Sequence, residues 1–354
     1  MALKSLKTLH GKLRLPAFFP DATYGKIKSI DMKDLERTKT QGVVVNAYHL
    51  FKKGMVFEIE KSKGIHNYIK FQKPIISDSG GFQVMSLIHK SPELGRIIEK
   101  GAIFNDNGNE IALTPEKCIE IQLRIGSDIV MCLDECTKPE LKHKEQLGSV
   151  ERTIRWAKRC RIHFDKLTKN SKKKPLLFVI IQGGENKKLR KKCAEELLKL
   201  NFDGYSFGGW PVRDGKLLKG ILKYTADLIP EKYPKYAMGI GKPQDIIECV
   251  KLGYTLFDCV IPTREARHKR IYIFNKNPKK NLENSFSFLK INLKSKNDRK
   301  KISNFCDCEL CLNYNRKELF QMFKKEPENA KRLSTIHNLR FYSVLMGLLG
   351  RKEK

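Results

Sequence analysis

Eight short apolar runs recur along the chain, and each of them ends close to a polar residue or a glycine. They occupy residues 15–23, 42–46, 74–78, 128–135, 176–182, 202–209, 236–241 and 256–263. Runs this short and this rich in valine and isoleucine are typical of strands that are buried on both faces. Stretches with a helical pattern lie between most of them, at residues 116–126, 150–167, 186–200 and 242–253.

Strand and helix alternating eight times predict an α/β fold, a (β/α)8 TIM barrel. A doubly wound open sheet would show the same alternation and is the structural alternative, although the number of strands favours closure. In such barrels the catalytic side chains lie where the strands end, at the C-terminal face. The residues that end the predicted strands are Asn46, Asp78, Asp134, Gln182, Gly209, Gly239 and Asp258.

Three of these residues, Asp78, Asp134 and Asp258, are carboxylates. Solubility gives no reason to place a carboxylate at the end of a buried strand, so we expect catalysis or binding there. An aspartate after a strand can also be the N-cap of the next helix, which is the alternative for any one of the three.

The composition indicates a globular protein with a polyanionic partner. Hydrophobic residues make up 40% of the 354 residues, and the net charge is +31, which attracts nucleic acid first among polyanions. A lysine-rich surface without any such partner is the alternative. The first fifteen residues lack the apolar core of a signal peptide, and no run approaches the length of a membrane span. We therefore expect a cytoplasmic protein.

Three cysteines crowd the stretch NFCDCELCLNYN, whereas the other seven cysteines are scattered singly. Thiols this close usually share a metal, and His337 is the candidate fourth ligand after Cys306, Cys308 and Cys311. A closed Cys3His set predicts one structural Zn²⁺ per chain. Three ordinary buried cysteines are one alternative; an iron–sulfur cluster is another, but it would normally need a fourth cysteine.

The chain changes character after Thr263. Residues 264–301 carry thirteen lysines or arginines against three acids, and little apolar mass is evident for a core of their own. The sequence thus predicts a barrel with the active site in residues 1–263. It predicts a basic zinc-binding subdomain with a closing C-terminal helix in residues 264–354, as part of the same compact unit.

Seven motifs, taken in order, resemble the tRNA-guanine transglycosylases of bacterial type, over residues 15–345. They are SDSGGFQVMSL, DIVMCLDECT, FVIIQGG, YSFGGWPV, MGIGKPQDI, FDCVIPTREAR and CxCxxC followed by the histidine. The resemblance implies a zinc-containing (β/α)8 barrel that forms a homodimer. It implies exchange of guanine at the wobble position of tRNA with a GUN anticodon for a 7-deazaguanine, in queuosine modification.

The resemblance also assigns roles to residues of this chain. Asp258 corresponds to the nucleophile that attacks the ribose, and Asp78 to the general acid/base, as in the double displacement of a retaining glycosidase. The remaining substrate contacts implied are Ser79, Phe82, Asp134, Gln182, Gly209 and Met238. Phe82 and Met238 would sandwich the base, although core packing alone would also explain them. The RNA contacts implied are Lys242, Asp245, Arg264 and Arg267.

The segment GGWPVRD departs from the GGLAVGE that is usual in the bacterial members. Trp210 and Pro211 replace a Leu-Ala pair whose carbonyls face the substituent of the incoming base. Asp214 stands for a glutamate that helps to hold that peptide. Val212 keeps the bulky residue of preQ1-type pockets, so preQ1 is the predicted incoming base and queuine the near alternative.

Three other functions remain open from the sequence. The chain could belong to the members of the superfamily that insert a deazaguanine into DNA, but its TREAR motif favours tRNA as the substrate. A non-catalytic tRNA-binding partner subunit should lack an essential carboxylate, whereas Asp78 and Asp258 are both present. A zinc hydrolase would need an open metal position, which a Cys3His set does not leave.

Overall fold

The computed structural model describes residues 3–106 and 109–351. Its centre is a sheet of eight parallel strands, one from each of the apolar runs. The strands are β1 (Ala17–Pro20), β2 (Val43–Asn46), β3 (Ile75–Asp78), β4 (Ile129–Met131), β5 (Leu176–Ile181), β6 (Gly204–Phe207), β7 (Lys235–Ala237) and β8 (Leu256–Cys259). Their spatial order is β1-β8-β7-β6-β5-β4-β3-β2.

The two ends of this sheet meet just beyond β1. Asp21 forms a parallel bridge with Val44 of β2, and the Ala22 N–H donates to the Val44 carbonyl at 2.8 Å. The Asn46 N–H donates to the Thr23 carbonyl at 3.3 Å. The sheet therefore closes into the predicted (β/α)8 barrel, and the doubly wound alternative is excluded.

The barrel interior is filled by alternate residues of each strand. Ala17 and Phe19 of β1 belong to the same buried cluster as Leu256 of β8 and Tyr236 of β7. Because side chains alternate with period two along a strand, the next inward positions on β1 and β8 are residues 21 and 258. The alternation therefore carries polar side chains to the mouth of the barrel.

Helices lie outside the strands. They are Met32–Arg37, Ala47–Lys52, Met55–Lys61, Ile65–Ile69, Gly81–Lys90, Pro115–Ile125, His143–Thr168, Lys187–Leu198, Lys219–Leu228, Pro243–Lys251 and Ile261–Arg267. The four helical stretches predicted from the sequence are all present.

Two local features differ from the simple strand–helix alternation. The polar sequence of residues 137–146 is typical of an exposed loop, yet the helix His143–Thr168 begins inside that range. The Glu145 carboxylate accepts from the Lys142 N–H and caps the helix. Between β3 and β4 the chain also forms an antiparallel sheet of Gly95–Ile98, Gly101–Asp106 and Asn109–Leu113.

The N-terminal end of the barrel is closed by a hairpin, Ser5–Thr8 and Gly11–Arg14. Its turn is held by Asp128, which lies immediately before β4 and has no exposed surface. The carboxylate accepts from the His10 N–H at 2.8 Å and contacts the His10 ring. It also contacts His66 Nε2 at 2.8 Å and accepts from the Ile75 N–H at 2.8 Å. One buried carboxylate thus joins the hairpin to two barrel strands.

The C-terminal unit has more apolar mass than the sequence suggested. It contains the hairpin Arg270–Phe274 and Phe286–Lys290, the 3-10 turn Leu293–Asn297, and the helices Glu309–Asn313, Arg316–Lys325 and Pro327–Leu349. A buried cluster of its own includes Ile271, Leu310, Leu319, Phe323 and Ile336. The expectation that this region lacks a core was wrong, since these residues are spread thinly along the sequence and converge only in space.

The long C-terminal helix also belongs to the barrel. Phe341 and Tyr342 pack in one cluster with Phe18 and Phe257, and the Tyr342 hydroxyl donates to the Gly241 carbonyl. The boundary predicted between residues 263 and 264 falls inside the helix Ile261–Arg267. Among the residues described, no helix is both long and apolar enough to cross a membrane.

We expect Asp128→Ala to lower the free energy of unfolding by about 3 kcal/mol, because it leaves two histidines and two backbone N–H groups without their shared acceptor. Chemical denaturation would measure this. The exposed Asp227→Asn, which alters only a surface pair with Lys223, is the control and should change stability by less than about 1 kcal/mol. Equal effects of the two substitutions would contradict the role of Asp128 in joining the hairpin to the barrel.

Candidate active site

A cavity of about 520 Å³ opens at the C-terminal face of the barrel. Its wall includes both of the predicted catalytic residues and five of the six predicted substrate contacts: Asp78, Asp258, Phe82, Asp134, Gln182, Gly209 and Met238. Ser79 is the exception. It is buried behind the wall, where its hydroxyl accepts from the Gly81 N–H at 3.2 Å and shapes the turn.

Asp258 is oriented by two donors. The Tyr236 hydroxyl donates to its Oδ1 at 2.8 Å, and the Gly239 N–H donates to the same oxygen at 2.9 Å. Burial raises the pKa of Asp258 to about 6, although both hydrogen bonds oppose that rise and the charge of Asp21 adds to it. Because both donors reach Oδ1, Oδ2 is the oxygen that can meet a substrate.

Asp78 has the higher pKa of the two. Burial raises it to about 7, and the nearby charges of Asp258 and then Asp134 add to the rise. The Asn46 amide donates to Asp78 Oδ2 at 2.8 Å and holds the carboxyl toward the cavity. Both pKa values are raised, and that of Asp78 is the higher, so Asp78 is the carboxyl that holds its proton to the higher pH.

Glycine is required two residues after Asp78, at position 80. Gly80 has φ +81°, and a Cβ there would lie 2.2 Å from the Tyr48 Cβ. The close approach lets the chain turn sharply from β3 into the helix Gly81–Lys90. This turn is the physical reason for the SDSGG sequence.

Asp134 and Gln182 form the far wall of the cavity. The Gln182 amide nitrogen donates to Asp134 Oδ2 at 2.6 Å, and burial raises the pKa of Asp134 to about 6. The amide has a second N–H, and Gly209 sits beside it in a left-handed conformation with φ +91°. A carboxylate next to amide and backbone N–H groups is complementary to the polar edge of a purine.

Arg190 fixes the chain segments that carry this wall, and sequence analysis missed it. The side chain is 1% exposed, and its guanidinium donates to the carbonyls of Ile181, Gly184 and Gly208. These three carbonyls belong to the ends of β5 and β6 and to the loop after β5. A buried cation satisfied in this way holds the two strand ends together.

Two aromatic rings stand at the mouth. Phe82 is 43% exposed and Trp210 is 44% exposed, with ring centroids 5.6 Å apart and an edge-on arrangement. The Trp210 indole donates to the Thr137 carbonyl at 3.2 Å. The exposure of Phe82 favours a stacking surface over core packing, while Met238 lines the cavity from the end of β7.

Sequence reasoning overlooked several residues of the cavity wall, and Asp21, His49 and Tyr236 are the titratable ones that matter most for its charge. Asp21 and Tyr236 could have been found from alternation. Phe19 is inward on β1 and Met238 lies at the inward end of β7, so the positions two residues away share their face. Burial lowers the pKa of His49, and the charge of Asp21 opposes that effect.

The four predicted RNA contacts lie outside the cavity wall, on the segments that follow β7 and β8. Lys242 and Arg264 are exposed. Asp245 is half-buried, and burial raises its pKa. Arg267 is half-buried, and burial followed by the charge of Arg264 lowers its pKa. Its Nη1 is buried and, within the described residues, has no hydrogen-bond partner.

The four predicted metal ligands converge in the C-terminal unit. One ligand atom from each of Cys306, Cys308, Cys311 and His337 lies within 4.8 Å of all the others. His337 Nδ1 is 3.3 Å from the Cys308 sulfur and 3.1 Å from the Cys311 sulfur. Its Nε2–H donates to the Tyr272 carbonyl at 2.6 Å, which aims Nδ1 at the thiols. This buried Cys3His group can hold a metal ion in a closed tetrahedral site.

The fold and the site thus define a (β/α)8 barrel with paired carboxylates at its mouth and a metal-binding C-terminal unit. A family model described as queuine tRNA-ribosyltransferase matches residues 2–349. The chain belongs to this family of pentosyltransferases, which confirms the resemblance and its identification as an enzyme.

Individual relatives agree with the family model. A queuine tRNA-ribosyltransferase of Buchnera aphidicola subsp. Schizaphis graminum is 39% identical over 338 residues, covering 94% of this chain and 87% of the relative. Another from Blochmanniella floridana is 40% identical over 341 residues, covering 95% and 85%. A third, from Acinetobacter baylyi, is 38% identical over 345 residues, covering 96% and 84%.

We expect Cys308→Ser to lose most of its bound metal and to unfold at a lower temperature, because one of four ligands is replaced by a poor one. Metal content by mass spectrometry of the purified protein and a thermal melt would measure this. Cys249→Ser, a buried cysteine on the helix Pro243–Lys251, is the matched control and should retain its metal. A Cys308→Ser protein with a full complement of metal would refute the ligand set.

Proposed function

We propose that this chain is a tRNA-guanine transglycosylase that acts by double displacement at the wobble guanine of tRNA with a GUN anticodon. The single observation that carries the proposal is that Asp78 and Asp258, which are remote in sequence, line one cavity with pKa values of about 7 and about 6. Membership in the queuine tRNA-ribosyltransferase family supplies the substrate class.

The first half of the reaction belongs to Asp258. Its carboxylate is ionised above pH 6, and Oδ2 is left for attack on C1′ of the target ribose. A C1′–O bond forms as the bond from C1′ to guanine breaks, and Asp78 gives its proton to the departing base. The product is an ester between the RNA and the enzyme.

The second half reverses these roles. Asp78, now ionised, removes a proton from the incoming 7-deazaguanine, whose ring nitrogen attacks C1′ and releases the Asp258 carboxylate. Two inversions restore the original configuration at C1′, as in retaining glycosidases. The raised pKa of Asp78 suits a group that must give and take a proton in the same turnover.

Guanine fits the far wall of the cavity. Asp134 would accept from N1–H and the 2-amino group, and the second N–H of Gln182 together with the Gly209 N–H would donate to O6, in place of their present interaction with the Cys136 sulfur. Phe82 and Met238 would hold the faces of the ring, a contact typically worth roughly 1–3 kcal/mol per base on an aromatic. The base must leave the anticodon loop to reach this depth.

The RNA would lie across the rim that follows β7 and β8. We assign Lys242, Asp245, Arg264 and Arg267 to the nucleotides beside the target, supported by their position there and by the exposure of Lys242 and Arg264. The basic residues 264–301 would contact neighbouring phosphates. A homodimer is part of the same proposal, and light scattering would test it.

The incoming base is proposed to be preQ1, on the grounds of the bulky Val212 in the cavity wall. Of the two carbonyls expected to face the substituent of the incoming base, those of Trp210 and Pro211, the second already has a partner in the protein. The Pro211 carbonyl accepts from the Leu218 N–H at 2.9 Å. Queuine remains the second candidate. A side cavity of about 340 Å³, bounded by Gly209, Trp210 and Arg213, offers room for a larger substituent.

The metal is proposed to be one structural Zn²⁺. A Cys3His donor set whose ligand atoms lie within 4.8 Å of one another suits Zn²⁺ better than harder divalent ions. Its ligands belong to the C-terminal unit and not to the cavity wall, so it takes no part in the chemistry proposed here.

The direct experiment is exchange of labelled guanine into an unmodified tRNA with a GUN anticodon, with preQ1 and queuine as competitors. We expect exchange, and stronger competition by preQ1. A tRNA in which adenine replaces the target guanine, and a guanine-containing DNA duplex, are the controls. Exchange only into the duplex would reassign the substrate, and no exchange into either would overturn the proposal.

The proposal also predicts a bell-shaped dependence of kcat/KM on pH, measured with tRNA. Activity should rise as Asp258 ionises near pH 6 and should fall as Asp78 loses its proton near pH 7. Asp78→Asn should lower the rate by about 10²–10⁴-fold and remove the alkaline limb. An unchanged alkaline limb in that variant would assign the proton transfer to another group.

A further inference from the structure

A third carboxylate, Asp21, stands on the inner wall beside the nucleophile. On β1 the inward positions are Ala17 and Phe19, and the alternation places residue 21 on the same face. Asp21 lines the cavity that contains Asp78 and Asp258. Phe19 of β1 pairs with Asp258 of the adjacent strand β8. Asp21 is two residues further along the chain toward the mouth, so it lies next to Asp258 on the inner face of the barrel.

One oxygen of Asp21 is not engaged by the protein. The Thr23 hydroxyl donates to Oδ1 at 2.6 Å. Over residues 3–106 and 109–351, no donor contacts Oδ2. The side chain is half-buried, and its charge acts on Asp258, His49 and Arg267, so it faces the interior of the mouth. A carboxylate oriented by one hydroxyl, with its second oxygen open to the cavity, is a ready acceptor.

The order of strands divides the mouth into two sides. β4, β5 and β6 are neighbours and carry Asp134, Gln182 and Gly209, which would read the base. β8, β1, β2 and β3 are also neighbours and carry Asp258, Asp21, Asn46 and Asp78. Since Asp258 must reach C1′, the second group surrounds the sugar. Asp21 is beside the nucleophile and away from the base.

We propose that Asp21 Oδ2 accepts a hydrogen bond from the 2′-hydroxyl of the target nucleotide. The inference rests on the proposed function and adds to it a residue that positions the ribose and selects RNA. The 2′-hydroxyl is on the carbon next to C1′, so its acceptor must stand next to the attacking carboxylate. A hydrogen bond to this hydroxyl fixes the sugar relative to Asp258, and in glycosidases such bonds strengthen in the transition state.

The test compares two anticodon stem–loops that differ in one atom. The first is RNA throughout, and the second carries 2′-deoxyguanosine at the target position only. Labelled-guanine exchange gives kcat/KM for each with the wild type, Asp21→Ala and the conservative Asp21→Asn. The exposed Asp227→Asn is the matched control, and thermal melts check that each variant is folded.

The wild type and Asp227→Asn should lose about 10–100-fold in kcat/KM on the deoxy substrate, as expected for a hydrogen bond to a charged acceptor. Asp21→Ala should lose a similar factor on RNA and then show no further loss on the deoxy substrate. Asp21→Asn should discriminate to an intermediate extent, since its amide oxygen can still accept.

Full wild-type discrimination in Asp21→Ala would overturn the inference, as would a wild type that does not distinguish the two substrates. If Asp21→Ala does not fold, the same comparison is made with Asp21→Asn, and full discrimination there overturns it equally. These outcomes all require exchange by the wild type. A wild type that exchanges guanine into neither stem–loop would instead refute the proposed function on which the inference depends.

Discussion

Closure of the barrel brings buried carboxylates from distant parts of the chain into one cavity, and the rest of the site depends on their electrostatics. Asp78 and Asp258 end strands that are three places apart in the ring, with β1 and β2 between them. Burial raises both pKa values, and the charge of Asp258 raises that of Asp78 further. Hydrogen bonds oppose the rise at both groups, from Tyr236 and Gly239 at Asp258 and from the backbone of Ser79 and Gly80 at Asp78. The charges of Asp258 and Asp134 then leave Asp78 with the higher pKa.

The C-terminal unit is connected physically to the catalytic end of the barrel. His337 of the metal-binding group is followed on the same helix by Asn338, whose amide donates to the carbonyls of Pro262 and Arg270. Pro262 belongs to the helix that follows β8 and carries the arginines assigned to RNA. A metal at Cys3His would therefore stabilise the helix that positions the rim. This connection gives the C-terminal unit a structural role at the barrel mouth in addition to its own core.

Much of the fold could be predicted because buried parallel strands leave a simple pattern. Every apolar run became a strand, and the residues at the ends of those runs include Asp78, Asp134 and Asp258. The antiparallel sheet formed by Gly95–Ile98, Gly101–Asp106 and Asn109–Leu113 was missed, because its short strands lack long apolar runs. The core of the C-terminal unit was missed for a related reason, since its members are far apart in sequence.

The supporting contacts of the site were the least predictable part. Tyr236 and Asp21 could have been inferred from alternation once the strands were known, but their partners depend on which strands are neighbours. Arg190 gave no signal, because an arginine on an amphipathic helix normally faces solvent. Only the structure shows that it reaches three carbonyls at the strand ends. The residues proposed to bind substrate were therefore easier to predict from the sequence than the residues that hold them in place.

The account stands on Asp258 forming a covalent bond to the ribose, and one measurement addresses it directly. The enzyme would be incubated with a guanine-containing tRNA in the absence of an incoming base, and the adduct would be digested and mapped by tandem mass spectrometry. We expect a ribose-linked peptide modified at Asp258, and no adduct in Asp258→Asn. Modification of a different carboxylate, or an adduct that persists in Asp258→Asn, would contradict the central claim.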